Sequence, residues 1–269
     1  MKSKARPHLR PSAANFAADF KRIILTLLKC FDYKIRPVTR KDVVPLARFR
    51  HEWKHEINAA DCLALRARLR AVASPDEHAP GGRYLIRSLY FDDWVDSALR
   101  EKVDGVDRRE KFRIRYYNGD AAFLRLEKKS KLSGLCAKDS IPLTAEEAQS
   151  IVDGRWDWMA GSGRPLLQEL YHKMKCRGLR PRTIVDYTRE AFVYAPGNVR
   201  VTIDRDIRTG LSCTDFLDPG CPTVPVPGAP AILEVKWDAF LPDAIRGAVG
   251  LEGRHACAFS KYAACRMYD

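Results

Sequence analysis

The stretch Arg109–Lys131, REKFRIRYYNGDAAFLRLEKKSK, decides the fold. Lys111, Arg113 and Arg115 alternate with Phe112, Ile114 and Tyr116. Asn118-Gly119-Asp120 then supplies turn chemistry, and Arg125, Glu127 and Lys129 alternate with Leu124, Leu126 and Lys128. Side chains that change face at every residue belong to strands, and Asn-Gly between two such runs predicts a tight hairpin. One face of the hairpin carries five basic groups and a single carboxylate; the other is mostly apolar. An ordinary solvated strand face mixes its signs. A face of nearly one sign calls for a polyanion.

The same pattern recurs outward along the chain. In Phe49–Ile57, Arg50, Glu52, Lys54 and Glu56 lie on one side, and His51, Trp53 and His55 on the other. His51-Glu52-x-x-His55 has the zinc-protease spacing, but that motif needs a helix to bring its histidines together. The alternation here predicts a strand. Asn58 reads as the N-cap of a helix over Cys62, Leu65, Leu69 and Val72. Arg83–Asp92 is a strand, Val95–Lys102 a short helical turn, and LSGLCAKDSIPL (Leu132–Leu143) a loop carrying Lys138. Thr144-x-x-Glu147 is a capping box, and a second helix covers roughly Pro165–Lys175. Thr183–Tyr194, Val199–Ile207 and Ile232–Trp237 are strands, and Phe259–Met267 a closing helix.

The net charge of +13 is unevenly spread, with eleven Lys and Arg against two Asp in residues 1–41. We therefore read residues 1–45 as a basic N-terminal extension and residues 46–269 as the working domain. Phe16, Phe20, Ile23, Leu27 and Phe31 fall at helical spacing, which suits a membrane-surface or polyanion-binding helix. A docking helix or a solvated tail fits the same residues. The eight cysteines hold no C-x-x-C pair, which argues against a zinc site and for reduced thiols in a cytoplasmic protein. That protein is peripheral to a membrane only if the extension docks there. There is no Walker A or Rossmann glycine pattern, so a nucleotide would be held by its phosphates.

If the charged faces point outward, the chain is a sandwich with a salt-bridged surface. If they point inward, it is a closed barrel whose cationic lumen repels itself until an anion fills it. The ordered set of motifs favours the second. Arg50-x-Glu52-x-Lys54, Tyr90-Phe91-Asp92, Lys111-x-Arg113-x-Arg115, Leu126-Glu127-x-Lys129, Tyr187-x-Arg189, Arg200-x-Thr202-x-Asp204-x-Asp206, Leu233-Glu234-x-Lys236 and Phe259-Ser260-Lys261-Tyr262 follow in this order. Together they resemble the VTC domain, the polyphosphate polymerase module of the vacuolar transporter chaperone family, within the triphosphate tunnel metalloenzymes.

The resemblance implies an α+β fold, a closed antiparallel β-barrel with helices packed outside. It implies transfer of the γ-phosphate of ATP onto inorganic polyphosphate, with a divalent metal (Mn2+ or Mg2+) as cofactor and no specific nucleic acid. Carried over by position, the phosphate ligands are Lys54, Arg113, Arg115, Lys129, Arg189, Arg200, Lys236 and Lys261. Arg113, Arg115 and Lys129 are the catalytic set, and Glu234, Glu127 and Glu52 the metal candidates. Lys138 stands near a further basic position. Hydrolytic members of the wider superfamily carry Glu-x-Glu-x-Lys on the first strand. Arg50 replaces the first of those acids here, which argues against a two-metal hydrolase. A triphosphatase of the same fold and a non-catalytic polyphosphate-binding module are the rival functions.

Overall fold

Alternation and turn chemistry build most of this molecule. The structure, a computed structural model, describes residues 50–267; the expectations for residues 1–45 lie outside the described residues. The strands are β1 (His51–Ile57), β2 (Ser74–Pro75), β3 (Arg83–Asp92), β4 (Arg109–Tyr117), β5 (Asp120–Leu132), β6 (Leu135–Leu143), β7 (Arg180–Tyr194), β8 (Val199–Thr209), β9 (Val224–Pro225) and β10 (Ala231–Trp237). The helices are α1 (Ala59–Val72), α2 (Ser97–Val103), α3 (Ala145–Val152), α4 (Pro165–Arg177), α5 (Asp243–Val249) and α6 (Lys261–Cys265). None of these helices is long and apolar enough to cross a membrane.

The β4–β5 hairpin forms as its sequence predicts. Asn118 and Gly119 sit at φ 52° and 74°, the two positive values that a type I′ turn requires, and Tyr117 faces Asp120 across it. Helix α1 starts on a reciprocal cap, in which Asn58 Oδ1 accepts from Asp61 N–H and Asp61 Oδ2 accepts from Asn58 N–H. Thr144 and Glu147 form the predicted capping box of α3.

Leu132–Leu143 is not a loop but a turn followed by a strand. Ser133 and Gly134 both take positive φ, so the chain reverses within two residues, and β6 runs back along β5 from Leu135 opposite Leu132 to Leu143 opposite Leu124. Gly, Pro and polar residues disguise the segment in the sequence. An end strand tolerates Pro142 because its N–H is not needed for a ladder.

All eight long strands join one antiparallel sheet in the order β1-β10-β8-β7-β3-β4-β5-β6. The closed barrel is the second correction: the sheet is curled but open. Its end strands β1 and β6 meet at one backbone bridge, Arg50 N–H to Cys136 C=O at 3.2 Å. Further along, Lys54 C=O on the same edge of β1 accepts from Cys257 N–H at 2.8 Å. The C-terminal segment thus takes the backbone groups that β6 would need for a ladder. Side chains cross the seam instead, with Lys129 of β5 donating to Glu52 of β1 at 3.0 and 3.1 Å.

The apolar residues fall into three clusters. Helices α3 and α4 bring Ile151, Leu167, Leu170 and Met174 against Phe112, Ile114, Leu124 and Leu126. Helices α1 and α5 bring Leu65, Leu69 and Ile245 against Val201, Ile203, Leu233 and Val235. Each such fully buried side chain contributes about 1.5–3 kcal/mol, and together they hold the sheet's curl from outside. The third cluster joins Tyr262 and Cys265 of α6 to Tyr90, Tyr187 and Ile207. Asp92 fastens this junction: its carboxylate accepts from Tyr262 Oη at 2.6 Å and from the Ala98 and Leu99 N–H groups of α2.

Candidate functional site

The face of the sheet opposite α1, α3 and α4 encloses a cavity of about 700 Å³, completed by residues 257–261. Fourteen of its lining side chains are Lys or Arg, and three are Glu. Period-two alternation accounts for most of them. Arg113 and Arg115 of β4, Lys129 of β5, Arg189 of β7, Arg200 of β8, Lys236 of β10 and Lys54 of β1 reach the same space from strands on both sides of β3 in the sheet. Lys261 joins them from the first turn of α6, where Ser260 Oγ caps the Ala263 N–H. All eight phosphate ligands expected from the sequence therefore line one cavity. Arg125 does not; it is exposed and donates to Ser140 Oγ at 2.8 Å.

Each arginine is held from behind. Arg113 donates through Nε and Nη2 to Glu127 Oε2 at 2.8 and 2.6 Å, and through Nη1 to Tyr90 Oη at 2.8 Å. Arg115 reaches Ser88 Oγ at 3.1 Å and Tyr187 Oη at 2.8 Å. Arg189 forks onto Asp204 at 2.6 and 2.7 Å, and Lys261 shares Asp204 at 2.6 Å. Arg200 pairs with Asp76 and donates to Tyr84 Oη at 2.7 Å. Such bonds restrict the guanidinium groups before a ligand arrives, and a planar fork suits phosphate oxygens.

Burial alone would push the Glu127 carboxyl up, but Arg113 and then Arg115 outweigh it and hold the pKa far below the ordinary 4.5. Tyr90 is equally perturbed: burial raises a phenol, yet Arg113, Lys111 and Arg115 bring it down to about 7. Lys111 has no carboxylate partner among the described residues to offset burial, and falls to about 8.

Glu52 and Glu234 form a separate acidic pair bridged by lysines. Lys54 Nζ lies 3.7 Å from Glu52 and 3.4 Å from Glu234; Lys236 Nζ lies 3.4 Å and 2.9 Å from the same two. Burial opposes the Glu234 charge, but Lys236 and Lys54 overcome it and hold the pKa well below the usual carboxylate range. Thr202 stands directly opposite Glu234 in the ladder, 2% exposed, with an Oγ1 that finds no partner among the described residues. Two hard carboxylates beside an orphaned hydroxyl fit a Mg2+-like ion, which takes one or two protein carboxylates and completes its shell from phosphate and water. No group of three or more acidic, His or Cys side chains suitable for a metal occurs among the described residues. Glu127 fits the metal role poorly: its oxygens are taken by Arg113 and Lys138 and it is 1% exposed. His51 and His55 lie on strand β1 and not on a helix, and His51 stacks on Trp237.

Six further cations on the wall, Arg50, Lys102, Arg109, Lys111, Lys131 and Lys138, lie outside the expected ligand set. The period of β4 places Arg109 and Lys111 beside Arg113, so alternation carries the signal for both. Lys102 comes from a helix, and nothing local in the sequence points it at this cavity. The counter-charges Asp76 and Asp204 also escape a reading that looks only for ligands.

Solved structures overlap the chain loosely. A protein of Bacillus halodurans provisionally described as an adenylate cyclase is 14% identical over 70% of this chain and 80% of its own, with a TM-score of 0.40. The PH1012 protein of Pyrococcus horikoshii is 10% identical over 79% of this chain and 96% of its own, with a TM-score of 0.43. The PH1819 protein of the same organism is 15% identical over 74% and 84%, with a TM-score of 0.39. No curated protein matches the chain. The VTC domain profile matches residues 49–268, the whole of the described fold and every expected ligand, and the chain belongs to the VTC domain family.

Proposed function

We propose that this protein is a polyphosphate polymerase that transfers the γ-phosphate of ATP to the end of an inorganic polyphosphate chain. One observation carries the reading. Arg113, Arg115, Arg189 and Lys129, each anchored by a carboxylate or hydroxyl, converge with few free acids on a single cavity. Phosphoryl transfer asks for in-line positioning and charge neutralisation and little covalent help. A terminal phosphate oxygen of the chain attacks the γ-phosphorus of ATP, the bond to the β,γ-bridging oxygen breaks, and ADP departs. The attacking phosphate is already ionised near neutrality, so the site needs no general base; a hydrolase would have to activate water.

Arg113 and Arg115 hold the transferred phosphoryl group, with Glu127 orienting Arg113. Lys129 and Lys54 neutralise the neighbouring phosphates as they release Glu52 and Glu234. Arg189, Arg200, Lys236 and Lys261 hold the flanking phosphates. Glu234, Glu52 and the Thr202 hydroxyl would hold the divalent ion, which neutralises phosphoryl oxygens when bound. Tyr90 and Tyr187 keep the guanidinium planes in place by hydrogen bonding.

The test is to incubate the purified protein with ATP and Mn2+ and resolve polyphosphate on a gel, with free phosphate measured separately. Long chains with ADP, lost in Arg113→Ala and Glu234→Ala, are expected. Free phosphate without chains would make it a triphosphatase. Phosphate binding without turnover of ATP or tripolyphosphate would make it a binding module.

A further inference from the structure

Cys213 and Cys221 lie in the connection between β8 and β9, and nothing in their sequence spacing marks them. Folding brings their Sγ atoms to 2.8 Å. Unbonded carbon atoms in contact stand about 3.5–4.0 Å apart, and sulfur is larger. The two atoms are therefore nearer to the bonded separation of about 2.05 Å than to ordinary packing. Successive turns fold the connection back on itself. Cys213 N–H donates to Gly210 C=O at 2.9 Å, Asp218 N–H to Asp215 C=O at 3.2 Å and Cys221 N–H to Asp218 C=O at 3.2 Å.

The residues between the two cysteines are fastened to the sheet. Phe216 C=O accepts from Tyr116 Oη of β4 at 3.0 Å, and Asp218 C=O accepts from Arg87 Nη1 of β3 at 2.9 Å. Phe216 and Cys221 are buried in the apolar cluster of α3 and α4, on the side of the sheet away from the cavity. Sulfur atoms this close suit a bond and not a shared metal, because two thiolates at about 2.3 Å from a tetrahedral zinc stand about 3.8 Å apart. The two thiols differ in access: Cys221 is 6% exposed, whereas Cys213 is only partly buried. Burial, and then the hydrogen bond with Cys213, push the Cys221 thiol up to about 12. Cys213 is thus the first of the two to ionise and to meet a reagent.

We propose that Cys213 and Cys221 are a redox modification site, at which a peroxide joins the two sulfurs as a disulfide that clamps the β8–β9 connection onto the back of the sheet. The Cys213 thiolate attacks one oxygen of hydrogen peroxide, the O–O bond breaks, and hydroxide leaves and takes up the thiol proton, giving water and a sulfenic acid. The Cys221 sulfur then attacks the Cys213 sulfur. The S–O bond breaks, and the departing hydroxide leaves as water with the Cys221 proton. Two thiols and one peroxide become one disulfide and two waters, with two electrons passing from sulfur to oxygen. The ring so closed contains both fastened carbonyls, those of Phe216 and Asp218. The inference goes beyond the polyphosphate reading and does not depend on it.

The experiment treats the full chain with hydrogen peroxide or with dithiothreitol, alkylates the remaining thiols and weighs the digested peptides. After peroxide, Cys213 and Cys221 should be linked to each other with the loss of two hydrogens; after dithiothreitol both should be alkylated. The oxidised protein should melt about 5–10 °C higher than the reduced one, as a short closed loop in a chain of this size predicts. That difference should vanish in Cys213→Ser and in Cys221→Ser. Full alkylation of both thiols after peroxide, or a bond from either to another cysteine, would overturn the site. A melting difference under about 2 °C in a protein shown to be linked would overturn the clamp. One equivalent of Zn2+ bound by the reduced protein and lost in Cys221→Ser would make the pair a metal site instead. The mass measurement is made on the unaltered chain, so it decides the question even where a serine variant fails to fold.

Discussion

Replacing Glu127 by Gln tests the central electrostatic argument, that the cavity's arginines are tolerated only because buried carboxylates lie behind them. The Glu127 side chain is 2% exposed, and those of Arg113 and Arg115 are 16% and 6% exposed. Removing one partner of a buried ion pair leaves the other uncompensated, at a cost of about 3–5 kcal/mol. Lys138, at 55% side-chain exposure, lies 3.1 Å from Glu127 and is too well solvated to add much. We expect the ligand-free variant to lose about 3 kcal/mol in urea denaturation. For a chain of this size that is a fall of about 6–12 °C in Tm. Tripolyphosphate should then stabilise the variant more than the wild type, because an anion supplies the missing charge. At about 100 times its Kd a ligand adds about 2.7 kcal/mol to the wild type. A loss under about 1 kcal/mol, or equal stabilisation of both proteins by the ligand, would refute the argument. The wild type carries its own control in pH. The folded-state pKa of Glu127 is depressed, so its contribution is full above the ordinary value of 4.5 and is lost as pH falls below that value.

Other consequences are open to direct measurement. Lys111 titrates near 8 and Tyr90 near 7 without ligand, and a bound polyanion raises both. Calorimetry in buffers of different ionisation enthalpy should therefore show proton uptake on tripolyphosphate binding at about pH 8.5. The tyrosinate absorbance should fall at the same time, and Lys111→Arg should reduce the uptake; none at that pH would contradict the assignment. Thr202→Val removes a buried hydroxyl without a partner, so the metal-free protein should gain about 1 kcal/mol. Its Mn2+-dependent stabilisation should weaken, and an unchanged Mn2+ response would exclude the hydroxyl from the metal site. Asp92→Ala strips the acceptor from Tyr262, Ala98 and Leu99 and should cost about 3 kcal/mol. A loss below about 1 kcal/mol would show that α6 is anchored by other contacts.

Much of this molecule was legible residue by residue, and the reason is period. A strand's side chains change face at each step, so Lys111-x-Arg113-x-Arg115, Glu52-x-Lys54 and Glu234-x-Lys236 declared shared faces, and Asn118-Gly119 and Thr144-x-x-Glu147 declared a turn and a cap from local chemistry alone. Family membership needed no coordinates either, since it follows from the order of those motifs. What the chain could not declare locally were pairings between distant residues. Leu135–Leu143 is a strand because β5 offers it a free edge, and against that its Pro and polar residues count for little. The sheet remains open because Cys257 takes the backbone group of Lys54 that a closing strand would need. Glu127 and Glu234 both stand two residues before a lysine on the same strand, Lys129 and Lys236, and alternation cannot separate them. Only the tertiary structure buries one behind Arg113 and brings the other beside Glu52 and Thr202. The charge around Glu234 depends on Lys54 of β1, more than a hundred residues away in the chain, and that is set by folding.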